Sequence, residues 1–479
     1  MAGSMVSLIV IIAVIIPTSS AHLSLNGGLK PLGRLRRTSV SFQRRFLRAW
    51  AERKRNCLDR VGIIGCGPAG LSMAHALKKL DTGVGRVDVF DKGEALKSGL
   101  GGGIQLNGGA AVLARMGLGD KIQEYGLPVK GIRTRTVSEK ELLYLNVSAL
   151  ARNEPSLMHN GEPMVFTIMR DSLQQLLADE LPNGCQIHFN KRVVDVLDDE
   201  ANGKVTCIFA DGSSEKFDLL IGADGIRSQV KQKSISANED DTPKYSNIRI
   251  QFGIAPGWER PDGKGKYTQE LHQWFGEGTY ALTGQYLGVE NQKFEMVALV
   301  FADDEDEGEN PDWIQGDEVK ENCIQRLEAA GNPDEVISLA KRANRYFEVG
   351  VYYYPSLMPW TSETKQVVLI GDAAHAMPPF LGQGANQAIQ DAFCLASKLS
   401  DIKSGRISSI SDAVDAYEFQ RKIPTTAIQL ESRILGVLET AGGSTSGTLP
   451  SFVRDAFFGL TGKLGIAEKV FITGATPQV

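Results

Sequence analysis

Three glycines and an acidic residue early in the sequence have the types and spacing needed to bind a dinucleotide. Gly65, Gly67 and Gly70 directly follow the apolar run Val61–Ile64, and Asp91 ends the next apolar run. In this pattern the first glycine allows a tight turn, the second admits a pyrophosphate, and the third lets a helix pack against the strand. An acid roughly 20 residues further on can hydrogen-bond a ribose. A plain βαβ unit with a structural glycine turn is the alternative.

A second stretch whose residues could bind a ligand runs from residue 367 to residue 392. Val367–Ile370 has the composition of a buried strand, and Gly371 and Asp372 end it. After Gly384 the apolar residues recur at helical spacing. A helix that opens on glycine offers free backbone N–H groups and the positive end of its dipole, so it suits an anion. Asp372 suits a ribose-like hydroxyl instead, and an ordinary βα turn is again the alternative.

The elements that must position these residues alternate between strand and helix. Apolar spacing predicts a helix through Leu71 and Leu77, a second glycine-rich loop over Gly99–Asn107, and a helix opening at Met169. Asp218–Gly225 has the pattern of another buried strand that ends in a polar glycine turn. Alternating residues then predict the strands of an antiparallel sheet over 247–253, 272–275, 279–286 and 294–301.

Helices are predicted for most of the chain beyond residue 392. Ile410–Leu438 has helical spacing with a break expected at Pro424. The inner side of this helix is predicted to carry Ala413, Ala416, Phe419 and Ile423. Gly442–Gly447 is expected to be a flexible linker, and Ser451–Phe471 a further pair of helices.

Composition limits the classes of protein to consider. The 479 residues are 42% apolar and 23% charged, as in globular proteins. The formal charge of −5 is unevenly distributed: residues 1–55 carry +9, so the remainder carries −14, which argues against a nucleic-acid partner. The six cysteines have no metal-type spacing and suggest no disulfide framework, so we expect no metal site and a reducing final compartment.

The first 55 residues have the composition of a two-part targeting leader. Residues 1–21 contain the apolar run Met5–Ile16, and a helix of that length spans about 18 Å, too short to cross a bilayer core of roughly 30 Å. This fits a signal peptide, and the mature protein is expected to have no stable transmembrane span. Residues 22–55 are basic and include several Ser and Thr, as in a transit peptide. Plastid targeting is predicted, with an endoplasmic-reticulum protein as the alternative.

Three separated motifs identify a family resemblance. The chain contains, in this order, GCGPAG at 65–70, GADGIRS at 222–228 and GDAAHAMPPFLGQGANQAIQDA at 371–392. In these motifs the chain resembles the class A flavoprotein monooxygenases, which include p-hydroxybenzoate, salicylate and kynurenine hydroxylases and zeaxanthin epoxidase. The resemblance extends from about residue 60 to residue 435.

The resemblance implies an α/β fold in which an antiparallel-sheet substrate domain is inserted into a Rossmann-like FAD-binding domain, followed by C-terminal helices. The implied segments are 56–243 and 356–440 for the FAD-binding domain, 244–355 for the substrate sheet with surface helices, and 441–479 for a C-terminal extension.

The implied reaction hydroxylates or epoxidises a small aromatic or isoprenoid substrate. In this family NADPH or NADH reduces FAD, and a flavin hydroperoxide formed from O2 delivers one oxygen atom. The alternatives are an oxidoreductase of the same fold without oxygen insertion, such as a prenyl-chain reductase, and a flavin-binding regulator without turnover. No protein side chain is implied as a catalytic acid or base, and His375 is predicted to be structural. The resemblance does not specify the oligomeric state.

The resemblance also implies which residues contact the ligands. Residues expected to hold the FAD pyrophosphate, adenosine ribose and ribityl chain are Gly65, Gly67, Pro68, Ala69, Gly70, Asp91, Gln105, Arg170, Asp224, Gly371 and Asp372, with Asp224 also linked to NAD(P)H. Residues expected to face the isoalloxazine are Pro379, Gly382, Gln383, Gly384, Ala385 and Asn386. Candidates for substrate contact in the sheet are His272, Trp274, Tyr280 and Tyr286, with ordinary sheet packing as the alternative for each.

Overall fold

A computed structural model describes residues 58–96, 99, 101–199, 203–236, 241–258, 269–303, 314–355, 358–442 and 449–479. The predicted leader, residues 1–21 and 22–55, and most of the predicted linker Gly442–Gly447 lie outside these residues.

Twenty-one strands occur in the described part of the chain. They are β1 Arg60–Ile64, β2 Arg86–Phe90, β3 Gly103–Leu106, β4 Leu127–Pro128, β5 Gly131–Thr136, β6 Glu141–Leu145, β7 Met158–His159, β8 Glu162–Pro163, β9 Phe166–Met169, β10 Cys185–His188, β11 Val193–Asp199, β12 Lys204–Phe209, β13 Ser214–Phe217, β14 Leu219–Gly222, β15 Lys244–Pro256, β16 Glu270–Phe275, β17 Thr279–Leu287, β18 Lys293–Ala302, β19 Ile314–Gln315, β20 Arg345–Tyr353 and β21 Val367–Leu369.

The described part of the chain also contains thirteen α-helices. They are α1 Pro68–Lys79, α2 Gly108–Leu113, α3 Gly119–Tyr125, α4 Val147–Arg152, α5 Arg170–Asp179, α6 Gln229–Ser234, α7 Asp317–Ala329, α8 Asp334–Arg342, α9 Asp372–His375, α10 Gly384–Lys403, α11 Ile410–Glu439, α12 Ser451–Lys463 and α13 Ile466–Ala475. The last two are the predicted C-terminal helix pair.

The dinucleotide motif lies at the carboxyl end of a five-stranded parallel sheet. Its strand order is β10-β2-β1-β14-β21, and every neighbouring pair is parallel. The central strands are buried on both faces because they are almost entirely apolar, which is typical of parallel sheets. Helices α1 and α10 pack against each other beside this sheet. All three predicted motifs therefore follow strands of one sheet, β1, β14 and β21, and emerge at the same edge.

A second, larger sheet of eleven strands contains the predicted antiparallel strands. β15, β18, β17 and β16 are consecutive neighbours in it, as expected from their alternating sequences. The sheet also recruits β3, β4, β5, β6 and β9 from the region between the first and second motifs. The predicted loop Gly99–Asn107 accordingly ends in strand β3, because residues 103–106 pair with β9. The paired residues of β9 lie 60 to 66 positions away, and the loop's own sequence carries no signal for this pairing.

The two faces of the large sheet have different partners. On one face Trp274, Ala281 and Leu299 occupy directly opposed positions and form a core with Cys323 and Leu327 of α7. The opposite face meets the glycine-rich segment before β3. A Cβ at Gly103 would overlap the ring of Tyr286, and one at Gly102 would lie 3.0 Å from the Met296 sulfur. The sheet thus lies between the layer of helices α7 and α8 and the glycine-rich segment at β3, which leads toward the part expected to bind the cofactor.

The long helix α11 differs from the prediction in two ways. It continues through Pro424 without a break, because packing on both sides of the proline stabilises a helix that lacks one hydrogen bond. Its buried face carries Tyr417 and Arg421, whereas the predicted inward residues Phe419 and Ile423 are 78% and 67% exposed.

No helix in the described ranges is long and apolar enough to cross a membrane. Those ranges also contain no cluster of three or more His, Cys, Asp or Glu side chains arranged to hold a metal ion. The five cysteines within them are free thiols.

Candidate functional site

The turn after β1 brings the first two motifs into contact. Gly65 has φ +107°, a backbone conformation that favours glycine, and a Cβ there would overlap the carbonyl group of Ala223. At Gly70 a Cβ would overlap the carbonyl oxygen of Gly65, so the start of α1 lies directly on the turn. Both glycines are therefore required by packing within the protein.

Gly67 is different, because its surroundings are open. It is the N-cap residue of α1, with φ −80°, and no atom lies within 4 Å of the position that a Cβ would take. Pro68 and Ala69 begin the helix, and no side chain caps its first N–H groups. These N–H groups and the positive end of the helix dipole are available to an anion such as a pyrophosphate. The open space at Gly67 is what a bound phosphate requires.

Asp91 lies beside this turn, immediately after β2. Its Oδ2 accepts a hydrogen bond from the backbone N–H of Cys66 at 2.9 Å, and its Oδ1 accepts one from Gly93 at 2.7 Å. Each carboxylate oxygen can accept a further hydrogen bond. Asp91 thus orders the glycine loop and can still bind a ribose hydroxyl there.

The third motif joins the same site through Gly371. This residue has φ +59°, and its Cβ position lies 3.0 Å from the Cβ of Ala388 in α10 and 3.2 Å from that of Ala69 in α1. The turn after β21 is therefore wedged between the two helices. The tertiary fold brings together the N-terminus of α1 and the turn before α10, which are some 300 residues apart in the chain.

Asp372 projects from this turn next to the start of α10. One of its carboxylate oxygens lies 3.9 Å from the Cβ position of Gly384. Solvent reaches the side chain, but surrounding protein removes much of its hydration and raises the pKa of the carboxyl, while His375 and Arg170 partly offset this increase. Arg170 is the first residue of α5, and its Cδ lies 3.0 Å from the Cβ position of Gly101. Asp372 and Arg170 are therefore close enough for their charges to interact, and we refer to the space between α5 and the start of α10 as the cleft.

Asn386 positions the loop rather than facing a ligand. Its Oδ1 accepts hydrogen bonds from the N–H groups of Asn107 and Gly109 at 3.0 and 2.9 Å, and its Nδ2 donates to the carbonyls of Gln105 and Gly382 at 2.9 Å each. The amide is fully buried and its capacity is used within the protein. This side chain ties the loop before α10 to the end of β3.

Of two neighbouring glutamines, Gln383 is bonded within the protein and Gln105 keeps a donor that a ligand could use. Gln383 is buried, and its amide donates to Asn107 Oδ1 at 3.3 Å while accepting from Gln387 at 3.1 Å. Gln105 contacts the Cβ position of Gly382, and its buried Nε2 has no hydrogen-bond partner among the described residues. A buried donor without a partner carries a free-energy cost, which a ligand acceptor removes. Gln105 therefore fits a ligand-binding role. Pro379 and Gly382 belong to the loop that precedes α10, and Ala385 lies in the first turn of α10.

Asp224 caps helix α6 behind the second motif. Its Oδ2 accepts hydrogen bonds from the N–H groups of Gln229 and Val230 at 2.7 and 3.2 Å. Burial raises the pKa of this carboxyl, and Oδ1 has no partner within the described part of the chain. The residue thus holds the motif in shape and retains one oxygen for a ligand.

A buried ionic network lies behind the third motif. His375 Nε2 is 2.5 Å from Asp391 Oδ2, which also accepts a hydrogen bond from the Gly371 N–H at 2.9 Å. His375 is buried, in agreement with its predicted structural role. Burial by itself raises the pKa of Asp391, but His375 and Arg421 outweigh this effect and lower it. The sequence analysis missed Asp391 and Arg421, whose only signal is a charge of opposite sign on the buried face of each helix.

The substrate candidates divide between the two faces of the large sheet. Tyr280 and Tyr286 lie on the face toward the cofactor-binding part, as the contact of Tyr286 with Gly103 shows. The prediction was wrong for Trp274, which is buried in the core beneath α7 and α8. His272 shares that face, with its ring centroid 6.2 Å from that of Trp274. Met296, which flanks Gly102 on the cofactor side, was missed because buried positions on both faces are apolar.

Comparisons with known proteins agree with this geometry. A family model described as FAD binding domain matches residues 59–429. The 3-amino-4-hydroxybenzoate 2-monooxygenase of Streptomyces cremeus is 28% identical over 370 residues, which cover 77% of this chain and 84% of that protein.

Solved structures are similar in fold at lower identity. Klebsiella pneumoniae HpxO complexed with FAD and uric acid aligns with a TM-score of 0.70 and 20% identity, over 87% of this chain and 97% of that one. A salicylate hydroxylase substrate complex aligns with a TM-score of 0.64 and 21% identity, over 87% and 98%. The predicted α/β fold with its antiparallel sheet and C-terminal helices is confirmed.

Proposed function

This chain belongs to the FAD binding domain family and is a FAD-dependent monooxygenase, and we propose that it hydroxylates a small aromatic substrate. The assignment of FAD is carried by the open helix N-terminus at Gly67, together with the buried and unpartnered Nε2 of Gln105. An anion and a hydrogen-bond acceptor are the complementary groups at these two places, and FAD carries both.

The residues around this site have distinct tasks toward FAD. The N-terminus of α1 binds the pyrophosphate, Asp91 the adenosine ribose, and Asp372 the ribityl hydroxyls. Arg170 supplies a positive charge along the same cleft. Gln383 caps α10 without a side-chain hydrogen bond, so the first N–H groups of α10 can stabilise negative charge on a reduced ring.

Bound FAD supplies the redox chemistry, accepting electrons from NADPH or NADH and activating O2 for transfer of one oxygen atom. The protein contributes orientation and exclusion of water. The large sheet covers the cleft with the buried side chains of Tyr280, Tyr286 and Met296, which leave little room for solvent beside the substrate. No acid or base of the protein is assigned to the oxygen transfer.

Reaction with isotopically labelled oxygen tests this proposal. The purified chain, loaded with FAD, is mixed with NADPH or NADH and a panel of phenols, anthranilates and xanthophylls under 18O2. Incorporation of one 18O atom into one class supports a monooxygenase and separates hydroxylation of an aromatic ring from epoxidation of an isoprenoid. A product that forms equally well without oxygen contradicts oxygen insertion and indicates a reductase. Bound FAD with no NAD(P)H consumption indicates a regulator.

We also propose that residues 1–55 direct the protein to a plastid. The short apolar run followed by a basic segment rich in Ser and Thr supports this proposal. A fluorescent fusion of residues 1–60, expressed in an alga whose plastid is bounded by extra membranes, is expected to accumulate inside that plastid. Retention in the endoplasmic reticulum would show instead an ER-directed protein.

A further inference from the structure

Glu439, the last residue of α11, is placed where a carboxyl group is unfavourable for the fold. Its side chain is 2% exposed, and its Oε2 has no hydrogen-bond partner among the described residues. It stands at the C-terminal end of a thirty-residue helix, where the dipole disfavours negative charge. Burial raises the pKa of Glu439 well above its usual range. A buried polar group without a partner is costly, so its presence calls for an explanation outside the ligand-free fold.

Arg454, whose charge acts on Glu439, does not provide that explanation. Arg454 of α12 is also buried, but its Nε and Nη2 contact Asp455 at 2.9 Å, and its Nη1 donates to the carbonyls of Gly276 and Ala441 at 2.6 and 3.4 Å. Its guanidinium is therefore already paired with a carboxylate and two carbonyls. Arg454 attracts Glu439 only through longer-range charge interaction.

The course of α11 locates Glu439 relative to the cofactor loop. One turn earlier, Gly436 packs directly on the ring of Phe380, which follows Pro379 in the loop before α10. Two residues later, the carbonyl of Ala441 accepts a hydrogen bond from the N–H of Gly278, in the turn between β16 and β17, at 2.9 Å. Glu439 is thus flanked by the loop expected to face the isoalloxazine and by the hairpin of the substrate sheet.

Tyr280 lies at the start of the strand that follows this hairpin turn. It is on the cofactor-facing side of the sheet, and the negative charge of Glu439 contributes to raising its pKa, after burial as the main cause. The Gln273 side chain interacts with the phenol. Around these two polar groups the sheet is apolar, with Phe275 between Tyr280 and Phe458 at ring distances of 5.5 and 4.8 Å. Apolar side chains with few polar groups converging among them are the typical lining of a small-molecule site.

We propose that Glu439 and Tyr280 form the polar end of the substrate pocket and bind a hydrogen-bond-donating ring substituent, a hydroxyl or an amino group. This inference rests on the proposed function, since it concerns the same aromatic substrate. The free Oε2 accepts the ring donor, and the surrounding aromatic side chains contact the ring itself. Binding of such a substrate removes the cost of an unsatisfied buried carboxyl, so the polar group contributes to specificity rather than to stability.

Binding of simple probes to the FAD-loaded full chain tests this inference. Phenol, aniline and toluene are titrated, and their dissociation constants are read from perturbation of the flavin absorbance. The wild-type protein is expected to bind phenol and aniline about tenfold more tightly than toluene, which corresponds to one hydrogen bond. Glu439→Leu is expected to abolish this preference. Glu439→Gln, which retains an acceptor oxygen, is expected to keep most of it.

One further variant serves as a control, and another tests the second member of the proposed pair. Glu431→Leu, about two turns earlier in the same helix, is expected to leave all three affinities unchanged, and Tyr280→Phe to reduce the preference severalfold. FAD content and the thermal midpoint report whether each variant folds. If Glu439→Leu does not retain FAD, the Glu439→Gln and Tyr280→Phe results decide, and an unchanged preference in Tyr280→Phe would overturn the proposal.

Equal binding of phenol, aniline and toluene by the wild type would overturn the proposal, and so would an unchanged preference in a folded Glu439→Leu protein. These outcomes are independent of the labelled-oxygen experiment. Failure of 18O incorporation rejects the monooxygenase activity, whereas loss of probe selectivity rejects only the role of Glu439 and Tyr280.

Discussion

The carboxylate of Asp391 pairs with the guanidinium of Arg421, with Oδ1 2.8 Å from Nε, and both side chains are completely buried. Asp391 also binds the N–H of Gly371 and the imidazole of His375. The ion pair therefore connects α11 to α10 and to the turn that carries Asp372. Its burial makes each partner depend on the other, because a single buried charge without its partner is strongly destabilising.

We expect Asp391→Asn to lower the free energy of unfolding by about 3–5 kcal/mol, because it leaves the Arg421 charge uncompensated. Urea unfolding followed by circular dichroism measures this change. The matched control is Asp81→Asn, which breaks the surface pair of Asp81 with Lys403, whose side chains are 79% and 54% exposed. Exposed pairs contribute about 0–1 kcal/mol. Equal effects of the two substitutions would show that the buried network is not a stabilising unit.

The two glycines of the first motif are expected to respond differently to alanine. Gly65→Ala introduces a Cβ against the Ala223 carbonyl at a positive φ, so the apoprotein is expected to lose stability. Gly67→Ala meets no protein atom and adopts an ordinary φ, so the apoprotein is expected to retain its thermal midpoint while FAD binding weakens at least tenfold.

Differential scanning fluorimetry of the apoprotein and titration with FAD separate these two effects. Wild-type affinity for FAD in Gly67→Ala would contradict the placement of the pyrophosphate at the N-terminus of α1.

The raised pKa of Glu439 is expected to make the folded protein less stable as the pH rises. Its pKa is raised in the folded state, so the folded protein retains a proton that the unfolded chain releases, and stability falls as pH rises above the unfolded pKa near 4.5. Glu439→Gln removes this titration. The variant is therefore expected to be more stable than the wild type at pH 7, with the difference disappearing as pH falls below about 4.5.

Urea midpoints of both proteins across this range measure the difference. The charge of Arg454 lowers the pKa of Glu439 but is outweighed by burial, and the phenol of Tyr280, whose pKa is raised above its usual range, stays neutral across this range. A difference that grows toward acid pH would indicate a carboxylate stabilised in the fold.

The division of the large sheet predicts distinct effects for Trp274 and Tyr280. Trp274→Ala is expected to cost about 3–5 kcal/mol, because it empties part of the core beneath α7 and α8. The surviving folded protein is expected to bind the aromatic probes with wild-type affinity. Tyr280→Phe, on the opposite face, is expected to change probe binding with little change in stability. Altered probe affinity in folded Trp274→Ala would contradict the assignment of the two faces.

The three motifs could be identified from the sequence because each depends on short-range constraints. Gly65 and Gly371 adopt backbone conformations that favour glycine, and each motif is a continuous strand, turn and helix start. Hydrophobic alternation also located β15 to β18, since their residues alternate within each strand.

Alternation could not decide which face of the sheet meets the substrate. His272 and Trp274 share one face and Tyr280 and Tyr286 the other. Helices α7 and α8 cover the first face, whereas Gly103 contacts Tyr286 and helix α12 packs on Phe275 beside Tyr280 on the second. Both sets are therefore buried or half-buried and look alike in the sequence. The prediction that Phe419 and Ile423 lie on the inner side of α11 was wrong for a related reason. The buried face of α11 carries Arg421, whose charge is balanced by Asp391, 30 residues earlier in the chain.

The sequence by itself determined the family, the glycine-rich turns and the positions of β15 to β18, because the motifs and the hydrophobic alternation each lie within a few neighbouring residues. Only the tertiary structure decided that β3 joins the large sheet, that Asp391 pairs with Arg421, and that Ala441, two residues after Glu439, contacts Gly278, two residues before Tyr280. Each of these contacts joins residues at least 30 positions apart. Their free energies depend on packing and burial in the complete fold, which no local pattern records.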